Sequence, residues 1–135
     1  AGIVLAVLII ANMAGCDVAQ AEEIPFTSDN CIKALIGEAI GQSDSELFAH
    51  AHAIRNRGAL TGVYGLNNWN KHNTPENWQR ASRAWYTSEI ERDTTNGCTH
   101  WLSDYDLIHS RPELIMWRFK AVYSVKIGST SFYRV

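Results

Sequence analysis

The chain is 135 residues long, 46% apolar, and carries a formal net charge of −2 at neutral pH. That length fits one domain with a hydrophobic core of its own, and the composition is too apolar for a disordered chain. A near-neutral balance, with a pI of about 6.2, excludes the basic footprint on which nucleic-acid binding depends.

In chain order, Ala1 to Ala11 is an almost unbroken apolar run. It is too short for a confident membrane span and has the character of an export signal. No initiator Met and no basic residues precede it, so the sequence reads as lacking a few residues at its start. Several processing routes are open. Met13-Ala14-Gly15-Cys16 is similar to a bacterial lipobox, which would lipidate Cys16 and tether the domain to a membrane. Ala19-Gln20-Ala21 offers a small-x-small site for ordinary signal cleavage. An uncleaved signal anchor is a third route, and a buried N-terminal helix is the structural alternative. The expected organisation is an export signal or anchor over 1–21, a linker over 22–30 and one domain over 31–135, working in the periplasm or cell envelope.

Ser28-Asp29-Asn30 offers N-cap candidates for a helix over Cys31 to Ile40, with Gly41 where it ends. Cys31, Ile32, Leu35, Ile36 and Ala39 make its apolar face, and Glu38 falls at the edge of that face. Ser43-Asp44-Ser45-Glu46 fits a capping box for a second helix, which runs through Leu47, Phe48, Ala51 and Ile54 to Gly58. Gly62, Gly65 and the Asn-rich run to Asn70 read as an irregular loop. Thr74-Pro75 starts a third helix, and Trp78, Ala81, Trp85 and Ile90 recur along it at helical spacing. Asp93 to Gly97 is turn chemistry, followed by an extended Cys98-Thr99-His100-Trp101. Pro112 to Tyr123 reads as helical or irregular, and Val125 to Val135 is β-prone. The fold class expected is mainly α with a small β element, that is α+β, in a single domain.

In an oxidising compartment the even pair Cys31 and Cys98 is expected to form one disulfide, worth roughly 4 kcal/mol in the chain-entropy model. Two buried free thiols are the alternative. Metal binding is not expected, because no Cys-x-x-Cys or close His partner accompanies the cysteines. His50 and His52 also stand two residues apart on a helix, where four would be needed to share a zinc. No phosphate-cradling glycine loop or Gly-x-Ser-x-Gly elbow appears, and no cofactor is called for.

Glu38 is the candidate for chemistry. A carboxyl group on a mostly apolar helix is partly desolvated, which disfavours its charged form and suits it to general-acid work on a glycosidic bond. A solvated helix-end glutamate, or one paired with Arg55 or Arg57, is the alternative. If Cys31 and Cys98 were bonded, His100 and Glu38 would lie along one cleft. Trp78 and Trp85 read as packing residues, whereas Trp101 and Tyr133 are the better candidates for a sugar-binding groove.

Three blocks in order resemble the SleB-like cell wall hydrolases, the catalytic domain of spore cortex-lytic enzymes. They are Gly37-Glu38-Ala39-x-Gly41 with Ala53-Ile54-Arg55-Asn56-Arg57, then Asp93 to Trp101, then Ile127-Gly128 with Phe132-Tyr133. The resemblance covers Ile32 to the C-terminus, with a poor match over Leu102 to Arg118. It implies a lysozyme-like domain acting on peptidoglycan glycan strands, with Glu38 as catalytic acid and base in a lytic transglycosylase. Thr99, His100, Trp101 and Tyr133 would line the glycan groove, and Ser129 and Thr130 stand where the family has Asn and His beside it. A hydrolytic muramidase with a second carboxylate is a rival, for which Asp44, Glu46, Asp93 and Asp104 are candidates. So is a glycan-binding envelope protein on the same fold. A monomer is expected.

Overall fold

The structure, a computed structural model, describes residues 23–135. The expected export signal and the lipobox Cys16 lie outside the described residues. Among the described residues, four α-helices and a three-stranded antiparallel sheet make an α+β domain. In chain order these are α1 (Ser28–Ala39), α2 (Asp44–Arg57), α3 (Pro75–Ile90), β1 (His100–Ser103), α4 (Asp104–His109), β2 (Val122–Ile127) and β3 (Thr130–Arg134). Short 3₁₀ turns over Tyr64–Asn67 and Trp69–His72 fill the link from α2 to α3. Two more, Pro112–Leu114 and Met116–Lys120, fill the link from α4 to β2. No described helix is long and apolar enough to cross a membrane.

The helix starts follow side-chain capping. The α1 N-cap is Thr27, whose hydroxyl accepts from the Asn30 amide at 3.2 Å, so the helix begins three residues before the expected Cys31. Ser43 caps α2 by accepting from the Glu46 amide, and Thr74 caps α3 with Pro75 in its first turn. α2 ends on Gly58 at φ 68°, where a residue with a Cβ would be strained. Gly41 has no such role: α1 passes into Ile40 in right-handed geometry, and Gly41 has open space around it. The Arg80 guanidinium of α3 instead donates to the free carbonyls of Ile40 and Gln42 and pairs with Asp44. It thereby ties the α1–α2 turn to α3.

Two hydrophobic clusters lie on opposite sides of α2. One joins Ile32, Leu35, Ile36, Leu47, Ala51, Ile54 and Trp85; the other joins Ala49, Ala53, Cys98 and Phe132. Leu47, Ala51 and Ile54 share one helical face, and Ala49 and Ala53 the reverse. That division overturns the expected disulfide. Cys31 is buried in the first cluster and Cys98 in the second, and both thiols are free. Desolvation pushes the Cys31 thiol up to about 12.

The sheet order is β1-β3-β2, and β3 pairs with both neighbours, His100 opposite Tyr133 and Ile127 opposite Thr130. The chain enters β1 from the Asn96-Gly97 turn, both residues at positive φ, as that dipeptide predicts. The β2–β3 turn docks on Glu46. One Glu46 oxygen accepts from the Ser129 amide, the Ser129 hydroxyl at 3.1 Å and the Thr130 hydroxyl at 3.3 Å. Gly128 permits that approach, since a Cβ there would stand 2.0 Å from the Glu46 carboxylate. The other Glu46 oxygen accepts from the Ser43 hydroxyl at 3.2 Å and not from the Ser43 amide, so the expected capping box is only half closed.

Candidate active site

A cleft of about 350 Å³ opens between α1, the 62–65 loop, β1 and the 104–120 segment. Glu38, Arg57, Tyr64, His100, Trp101, Asp106 and Trp117 are among its lining residues. Glu38 reaches it from the last turn of α1, at the edge of the apolar face. Two glycines set its surroundings. A Cβ on Gly37 would meet the Gly65 carbonyl oxygen at 1.7 Å, and one on Gly65 would meet Glu38 Cγ at 2.6 Å. Only backbone without side chains lets the loop lie this close to α1. The Gly65 amide consequently donates to Glu38 Oε1 at 3.3 Å.

The Glu38 carboxyl is raised above the ordinary glutamate range. Burial is the main cause; the Gly65 amide, the Trp101 side chain and Arg57 oppose it by favouring the ionised form, while the Asp106 charge adds to the rise. Arg57 sits beside Glu38 without bonding it. Its guanidinium donates to the Thr61 carbonyl at 2.6 Å and the Thr99 carbonyl at 3.3 Å, and lies 5.8 Å from the Trp101 ring centroid. The C-terminal residue of α2 therefore fastens both loops that flank the acid.

The His100 ring lies 4.7 Å from that of Trp117, and its Nδ1 is 2.8 Å from the Thr99 hydroxyl. Burial, with a smaller effect from Arg57, lowers its proton affinity. Together with Trp101 it gives the cleft flat apolar faces beside hydrogen-bonding groups. Thr99 and Tyr133 stand behind this wall. Thr99 holds His100 and Arg57, while Tyr133 is buried opposite His100 in the sheet and packs edge-on to Trp117 at 5.4 Å. Ser129 and Thr130 are elsewhere: both are bonded to Glu46 at the β2–β3 turn and neither lines the cleft. They form a latch in the fold, because the strand turn points its hydroxyls at α2.

None of the four acidic residues singled out as a second carboxylate lines the cleft. Asp44 pairs with Arg80 and Asp104 with Lys126 at 3.0 Å. Glu46 holds the strand turn. Asp93 accepts from Asn56, the Thr95 amide and hydroxyl, and the Gly97 amide, which hold its carboxyl low despite burial. The second carboxylate of the cleft, beside Glu38, is Asp106, which was not among the expected candidates. Its signal was present as Ser103-x-x-Asp106, a reciprocal capping box at the start of α4. His50 and His52 face different ways, the first packed on Trp101 and Phe132 and the second on Phe48. No group of three or more potential metal ligands occurs among the described residues.

Comparison with protein-family models, curated proteins and solved structures finds no match to this chain.

Proposed function

We propose that the protein is a peptidoglycan-cleaving glycosidase with a lysozyme-like domain, acting as a lytic transglycosylase with Glu38 as its acid and base. One observation carries the reading: a carboxyl whose proton affinity burial raises faces a cleft walled by His100, Trp101 and Trp117. A carboxyl raised in this way holds its proton to higher pH than an exposed one and can deliver it to the leaving glycosidic oxygen. The resulting carboxylate then takes the proton of the muramic acid C6 hydroxyl as that oxygen closes on C1. The nucleophile belongs to the substrate, so positioning replaces the activation of water. The aromatic walls would hold sugar faces, and Arg57 would keep its loops and Trp101 in register. The reading places the enzyme outside the cytoplasm, as a monomer on glycan strands and with the N-terminal segment as signal or tether.

Asp106 favours a second reading, a hydrolytic muramidase in which a further carboxylate assists water. Digestion of purified peptidoglycan separates the two by the mass of the fragments. Anhydro-muramic ends mark the transglycosylase and reducing ends the hydrolase. Binding without fragments marks a glycan-binding protein. Cleavage by Glu38→Gln at the wild-type rate would remove Glu38 from the mechanism.

A further inference from the structure

The four acidic residues weighed above as a second carboxylate differ from Asp106 in what they touch. Asp44, Asp93, Glu46 and Asp104 are each engaged by a cation or by several donors within the fold. Asp106 is half-buried, and among the described residues no ion pair engages it. It lines the same cleft as Glu38 but comes from a different element, α4. Its position is nonetheless held. Asp106 Oδ2 accepts from the Ser103 amide at 3.4 Å, and the Ser103 hydroxyl accepts from the Asp106 amide at 3.0 Å. This reciprocal cap hangs directly on the end of β1, the strand that carries His100 and Trp101.

We infer that Asp106 is a positioning residue of the cleft, a second carboxylate that the Ser103 cap holds in the same cleft as Glu38 and that acts on the acid through its charge. The inference rests on the reading of Glu38 as the acid of this site and adds what sustains that role.

The charged and titratable groups facing Glu38 are Arg57 from α2, Tyr64 from the first 3₁₀ turn, His100 from β1 and Asp106 from α4. Arg57 favours ionised Glu38, and its cation sits permanently in the wall. Burial opposes Arg57, and the Asp106 charge acts in the same direction as burial. A like charge nearby disfavours ionisation of a carboxyl, whereas a neutral amide of the same shape does not. Asp106 also does this without giving up its own structural bond, because the cap needs only one of its two oxygens.

The test is a titration of the Glu38 side-chain carboxyl by NMR in carboxyl-labelled protein, with the signal assigned by its loss in Glu38→Gln. Asp106→Asn keeps an oxygen able to accept from the Ser103 amide and removes the charge. Ser103→Ala weakens the cap and keeps the charge. Asp106→Asn is expected to move the Glu38 midpoint to lower pH, and to move the alkaline limb of cleavage by a similar interval. Ser103→Ala is expected to shift it less. An unmoved Glu38 midpoint in Asp106→Asn overturns the inference. So does an equal shift in Ser103→Ala, which would assign the effect to the order of α4 rather than to the charge. A shifted midpoint in a protein that cleaves no glycan supports the inference about Asp106 and removes the proposed reaction instead.

Discussion

Gly37→Ala is the sharpest perturbation of the frame around Glu38. The new methyl carbon would start 1.7 Å from the Gly65 carbonyl oxygen and 2.6 Å from its Cα. Both are backbone atoms, so no rotamer change relieves the overlap. Real Cβ contacts are essentially never below 3.0 Å, so the Gly65 carbonyl must retreat by at least the difference, 1.3 Å. That retreat carries with it the Gly65 amide that bonds Glu38 Oε1. Overpacking of this kind costs about 1–3 kcal/mol. For a domain of this size the midpoint of thermal unfolding should fall by about 5–15 °C. A displacement of about 1 Å beside a reacting group can cost on the order of 10²-fold in rate. Gly41→Ala is the control, because its Cβ would meet nothing within 4 Å and its φ is not left-handed. Thermal unfolding followed by far-UV circular dichroism, with glycan release measured on the same samples, reads both effects. Equal melting temperatures and equal rates for Gly37→Ala and Gly41→Ala would refute the close backbone approach and the argument built on it.

Glu38→Gln should lower the cleavage rate by roughly 10²–10⁴-fold, read as fragments released per hour. Because the folded protein raises the Glu38 carboxyl, its favourable contribution is complete below the ordinary carboxylate range and is lost as pH rises through the raised value. Chemical unfolding should therefore show Glu38→Gln more stable than wild type at neutral pH and no different in acid. Glu46→Ala strands the Ser129 amide and leaves the buried Thr130 hydroxyl only the Gln42 side-chain oxygen at 3.4 Å, at a cost of about 1–3 kcal/mol. Glu46 is lowered by its hydrogen bonds, which outweigh burial. The deficit of Glu46→Gln against wild type should be full above the ordinary carboxylate range and shrink as pH falls through the lowered value, measured by urea midpoints. His50 is buried neutral, its affinity lowered by burial to about 4. Its contribution is present above about pH 6.5 and lost toward pH 4, so wild type should weaken over that window and a His50→Leu variant should weaken less there. Intact mass after native alkylation should show Cys31 and Cys98 unmodified, and after unfolding without reductant both should react. A protein that takes up label at neither site once unfolded would contradict two free thiols.

What was legible in the sequence was whatever neighbouring residues decide. Ser43 and Glu46 announce the start of α2, Thr74-Pro75 the start of α3 and Asn96-Gly97 the turn into β1, because each signal and the backbone it governs lie within four residues. The helical wheel placed Glu38 at the edge of an apolar face, and the structure has it at the rim of the cleft. Long-range partners were not legible. Glu46 bonds hydroxyls 83 and 84 residues away, and its local pattern reads equally well as a capping box. The parity of Cys31 and Cys98 carries no information about α2, which separates their clusters.

Asp106 marks where local reading runs out, for a physical reason. Its sequence surroundings specify only a cap, and a capping carboxylate is usually a solvated one. It becomes part of the site because α4 starts at the residue after β1, so the cap is built on the strand that forms the aromatic wall. A Gly at 65 reads as a loop residue by the same logic, yet it is the backbone that contacts Glu38. Both residues acquire their role from an element that is distant in sequence: Gly65 from α1, and Asp106 from the cleft that α1 and β1 make between them. The acid could be nominated from one helix, whereas the groups that set its surroundings, the Gly65 amide that favours its ionised form and the Asp106 charge that opposes it, required the whole fold.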